Sequence, residues 1–181
     1  MNRETANALF QAHATARLRG DTAEATRLAS RIGPELHMKH AVFLTALLAG
    51  IIVEEYGSRP DPSDLAGLTK RLHDKHFGTG STFNAIYAEA MIRAVCGDSV
   101  LLTEIPFAEQ PSYMWAVMTE LVDPDITESE LTERFDLAEE AGMNWMSETL
   151  ESTIQNHPKR SGQPAEEPTP STADASEKES A

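Results

Sequence analysis

A single cysteine, Cys96, stands in this chain of 181 residues, so no internal disulfide can form and a disulfide-stapled secreted scaffold is excluded. A reducing, cytoplasmic setting is the expectation. The opening MNRETANALF also lacks the apolar core of a signal peptide. Aromatic residues supply only 6% of the chain while Ala, Leu and Met are prominent, a balance that disfavours β-sheet and points to an all-α protein. Long apolar runs are scarce too. Ala41–Val53 (AVFLTALLAGIIV) is apolar except for Thr45, but its residues rise only about 20 Å against a hydrocarbon core of roughly 30 Å. The expectation is a buried central helix in a single-domain array of six to eight helices, with no membrane partner.

Positive charge is the other shortage, with 15 Lys and Arg against 29 Asp and Glu and a formal net charge of −14. Its distribution is uneven. From Met1 to Gly78 ten basic residues balance nine acidic ones, a net +1, whereas Thr79 to Asn156 holds two against fifteen, a net −13. Such a field repels phosphate backbones, so direct nucleic-acid binding is not expected, and a basic protein becomes the natural partner. Residues 157–181 contain four prolines and no Leu, Ile, Val, Met or aromatic residue. They are expected to form a disordered acidic tail, which places the helical domain at 1–156.

Punctuation marks the helices. Leu9, Ala12, Ala16 and Leu18 form one apolar stripe, Gly20-Asp21 breaks it, and Ala25, Leu28 and Ile32 resume it. The stretch GDTAEA, Gly20 to Ala25, resembles the inter-helix turn of a tetratricopeptide repeat over this one hairpin. Glu54 stands where a second copy would need its turn glycine, so a lone αα-hairpin is expected rather than a repeat array. Pro34 opens the long central helix and Gly57 ends it; Asp61-Pro62 caps the next, with Leu65, Leu68, Leu72 and Phe77 on one face and Gly78 as the stop. A fifth helix is expected from about Thr82 to Cys96 with Phe83, Ile86, Tyr87, Ala90 and Ala94 inward. Residues 98–105 read as either helical or extended. Ser112 to Val122 is the next helix. Thr127 and Glu130 then match a capping box that opens a final helix, whose stripe is Leu131, Phe135, Ala138, Gly142 and Trp145.

Catalytic signatures are absent. Cys96 ends an apolar stripe and reads as an inert small thiol. The pairs Glu54-Glu55 and Glu139-Glu140 are neighbours in sequence, so their carboxylates diverge on a helix. The turn Gly78 to Thr82 lacks the phosphate-loop and dinucleotide fingerprints. Tyr113, Met114, Trp115, Met118, Met143, Trp145 and Met146 suit core packing, with an adaptable partner groove, or a small-ligand-binding bundle or enzyme with a Met/Trp-lined pocket, as the alternatives. Neither a catalytic residue nor a cofactor is expected.

The remaining chemistry lies in two HxxH pairs, His37 with His40 and His73 with His76. If the third and fourth helices formed an antiparallel hairpin, the pairs would sit at about the same level, and imidazoles with Asp74 or Glu35 would suit Zn²⁺, Ni²⁺ or Cu²⁺. This metal-binding reading is the alternative. The favoured one is a non-catalytic helical protein-interaction or regulatory module. Its candidate contacts are the carboxylates left outside the final helix's apolar stripe: Glu128, Glu133, Asp136, Glu139 and Glu140. These would meet a basic protein or, in a homo-oligomer, the Arg-bearing first hairpin of a second copy.

Overall fold

A computed structural model describes residues 3–57, 59–77 and 83–156, with side chains in the last helix followed to Met143. The protein is all-α. Its α-helices are α1 (Arg3–Leu18), α2 (Thr22–Ala29), α3 (His37–Tyr56), α4 (Pro62–His76), α5 (Ala85–Val95), α6 (Gln110–Leu121) and α7 (Glu128–Asn156), joined by 3₁₀ segments at Pro34–Leu36 and Ser99–Glu104. The tail from 157 and the turn Gly78 to Thr82 lie outside the described residues, as do the side chains of Trp145 and Met146.

Local chemistry sets the helix ends. Asp61 accepts from the Ser63 amide at 2.9 Å with Pro62 at the first helical position, and Asn84 accepts from Ile86 N at 3.0 Å. At α7 the capping box is complete, because Thr127 N donates to Glu130 Oε2 at 3.0 Å while Glu130 N donates to Thr127 Oγ1 at 3.3 Å. Gly57 ends α3 at φ 76°, a left-handed conformation that costs glycine little. The ambiguous stretch after Asp98 is a 3₁₀ helix, and Gln110 ties it down by donating from Nε2 to the carbonyls of Leu102 and Ile105.

The α3 helix is the centre of the bundle, packed against α5, α6 and, most extensively, α7. Phe43, Leu44, Leu47, Leu48, Ile51 and Ile52 are buried along it, and each such side chain contributes about 1.5–3 kcal/mol of apolar transfer. Together with its leading turn, Pro34–Tyr56 is long and apolar enough to cross a membrane by length and composition, the one such helix among the described residues. The helix thus outruns its thirteen-residue apolar run, so the expected shortness does not hold, and 44% of its most apolar stretch is buried within the bundle. That cover is incomplete: Gly50 is exposed and Val53 is 49% exposed.

The α7 helix runs antiparallel to α3. Arg134 reaches Glu54 near the C-terminal end of α3, while a Cβ on Gly142 would stand 3.3 Å from Val42 Cγ1 and 3.7 Å from Ala46. The small residue permits this close crossing. Leu131, Phe135, Ala138 and Gly142 are buried on the expected stripe.

Three expected faces are corrected. Ala12 is exposed, and its neighbour His13 occupies the inward position of α1, three residues after Phe10. Phe77 is 75% exposed because it is the C-cap of α4 with extended backbone, so helical phase no longer governs it. Ile86 is 71% exposed because α5 starts at Ala85 rather than Thr82, which uncouples it from Phe83.

Candidate functional site

The acidic residues of α7 divide by their partners. Glu128 accepts from Arg19 Nη2 at 3.0 Å, Glu139 is half-buried and accepts from Asn7 Nδ2, and Glu130 serves the cap of its own helix. Glu133, Asp136 and Glu140 are exposed, and no ion-pair partner for them is found among the described residues. Of the five candidate contact residues, α7 therefore leaves three carboxylates open to water. Asp136 lies three residues after Glu133 and four before Glu140, so all three share one face.

Beside this face a cavity of about 450 Å³ opens between α3 and α7. Leu47 and Ile51 form its floor, both buried. Gly50, Val53 and Leu137 form its sides, the last 59% exposed. Its rim carries Glu54, Glu130 and Glu133 against Arg134. Arg134 bonds Glu54 in a fork, from Nε at 2.8 Å and from Nη2 at 2.7 Å. Glu133 and Leu137 also border a shallow hollow that includes Asp136, so the apolar cleft is continuous with two of the open carboxylates, Glu133 and Asp136.

The histidines are arranged differently from the antiparallel-hairpin expectation. The α4 helix packs on α5 and α6 instead of lying along α3, and Tyr56 at the end of α3 accepts from Arg71, nine residues into α4, at 3.2 Å. His76 consequently stacks on Phe83 with ring centroids 4.4 Å apart, and His73 lies against Phe77. His37 bonds the Ile32 carbonyl at 3.1 Å. His40 turns inward to His13, whose Nδ1 is 3.2 Å from its Nε2. The two HxxH pairs do not converge, and no group of three or more His, Cys, Asp or Glu able to hold a metal ion occurs among the described residues.

His13 was the residue that sequence reasoning passed over. It is buried between α1, α3 and α6, edge-on to Trp115 at 5.4 Å, while the Arg17 guanidinium lies 5.3 Å from the centre of the same indole. Burial, followed by nearby His13 and His37, pushes the His40 imidazole down to about 4. Burial and then Arg17 lower His13 in the same direction. The available signal was position alone: three and four residues after Phe10 and Leu9, His13 continues the apolar stripe.

Other candidates take structural places. Tyr113, Met114, Trp115 and Met118 are buried in the core, and Met143 edges a separate cavity of about 220 Å³ beside Phe10 and Lys39. Cys96 is half-buried, and burial followed by Asp98 raises its thiol, which disfavours the thiolate. Comparison with protein-family models, curated proteins and solved structures finds no match for this chain.

Proposed function

We propose that this chain is a non-catalytic helical protein-interaction or regulatory module that captures a basic protein partner through the acidic outer face of α7, in a reducing cytoplasmic setting. The observation that carries this reading is the set of open carboxylates Glu133, Asp136 and Glu140 on one helix. Among the described residues seven cations are already engaged: Arg19 with Glu128, Arg27 with Glu24, Lys70 with Asp74, Arg71 and Lys75 with Glu120, Arg93 with Asp98, and Arg134 with Glu54. Unpaired like charge on one face gives the fold little, yet it steers an oppositely charged protein toward it. The half-buried, poorly ionised thiol of Cys96 supports a role without nucleophilic chemistry.

Affinity capture from native extract tests the reading. Wild type should retain a basic protein that the Glu133→Gln, Asp136→Gln, Glu140→Gln variant loses. Identical retention by the two would remove the acidic face as the contact surface.

A further inference from the structure

We propose that the cleft between α3 and α7 seats one amphipathic basic helix of the partner, its apolar residues on Leu47, Ile51, Val53 and Leu137 and its Lys or Arg side chains toward Glu133 and Asp136. The inference rests on the interaction-module reading and adds the shape of what binds. A helix whose Ala41–Val53 run is apolar on nearly every side needs cover all round, yet at Gly50 and Val53 that cover is incomplete, and Leu137 of α7 opens on the same cleft. Two antiparallel helices with a groove between them suit a third helix, as in other helix-in-groove complexes. From Leu47 to Glu54 the cleft runs about 10 Å along α3, or two turns of a bound helix.

Charge decides the character of the occupant. The rim holds three carboxylates against one guanidinium, and that guanidinium is held by Glu54. Lys and Arg flanking an apolar stripe complement it. The chain's own residues 157–181 carry Lys159, Arg160 and Lys178 but no large aliphatic residue and no Phe, Tyr or Trp, so they have nothing to fill an apolar floor. A second copy fits poorly as well, since most of its described cations are paired within the chain.

The test uses the full chain, isotopically labelled, and a synthetic helix of about five turns with Leu at i, i+3, i+4 and i+7 and Lys elsewhere, beside a scrambled peptide of the same composition. The amphipathic peptide should shift the amide signals of 47–54 and 130–137 and bind at least about tenfold tighter than the scrambled one. Val53→Ser with Leu137→Ser, both at exposed positions, should reduce that affinity about tenfold while leaving the melting temperature unchanged. Equal binding of the two peptides would overturn the helix-groove inference and leave the acidic-face reading standing, because charge alone would then suffice. Lack of binding by either peptide, or undiminished binding by the double variant, would also overturn it, and extract capture would decide the broader reading separately. Self-association of the wild type abolished by the double variant would assign the cleft to a second copy instead.

Discussion

His13 Nδ1 and His40 Nε2 lie 3.2 Å apart and join α1 to α3 through one imidazole–imidazole hydrogen bond, in which one nitrogen donates and the other accepts. That bond needs a lone pair on one of the two facing nitrogens, so both rings cannot be protonated at once without losing it. Burial opposes a proton first, and after it Arg17 from α1 acts on His13 and His37 from α3 on His40, while the Trp115 indole of α6 packs edge-on to His13.

Stability should therefore depend on pH in a definite direction. The folded-state value of His40, about 4, lies below its unfolded value near 6.5, so the unfolded chain takes the proton first. The contribution is fully present above about pH 6.5, declines as pH falls, and levels off below about 4. Its upper bound is on the order of 3 kcal/mol. Urea unfolding at pH 7.5 and 5 should show a clear loss for wild type and a much smaller one for His40→Gln, which keeps a polar partner for His13 without a titrating ring. Parallel losses would place the acid sensitivity elsewhere.

Much of the fold is legible in the sequence because helix ends are set by neighbouring residues. Asp61-Pro62, Thr127 with Glu130, and Gly57 each act within one turn of chain, and each stands where its pattern implies. Faces near helix ends are less legible. Phe77 caps α4 with extended backbone, and Ile86 sits in the first turn of α5 while Phe83, which anchors its expected phase, lies outside the helix. The histidine arrangement was hidden for another reason: which helix lies beside α3 is decided by the whole core, and α4 packs on α5 and α6 while α1 brings His13 to His40. The open carboxylates of α7 followed from its apolar stripe, but the pairing of Glu128 with Arg19 and of Glu139 with Asn7 needed the tertiary contacts.

Removal of the α7 cap should be measurable by itself. Thr127→Ala takes away both the hydroxyl that accepts from Glu130 N and the bond it donates to Glu130 Oε2 at 2.6 Å. A loss of about 1 kcal/mol in urea unfolding is expected. Stability unchanged within error would show that the helix start is held by packing of Ile126 and Leu131 alone.

The open carboxylates should be a slight burden on the isolated protein. Glu133 with Asp136 and Asp136 with Glu140 are like-charge pairs at helical neighbour spacings, each unfavourable by a few tenths of a kcal/mol. The triple glutamine variant should melt at the same temperature as wild type or slightly above it in low salt. Melting several degrees lower would mean that these side chains hold the fold together, and the docking role would lose its basis.

The most direct test of the account is the association rate of purified partner and protein as a function of ionic strength. If the acidic face of α7 steers capture, the rate should fall steeply between low and physiological salt, as the screening length shrinks to about 8 Å, and the triple glutamine variant should show a slower rate with a much flatter salt dependence. A rate insensitive to salt, or the same steep dependence in the variant, would contradict the central claim that Glu133, Asp136 and Glu140 form the partner's landing surface.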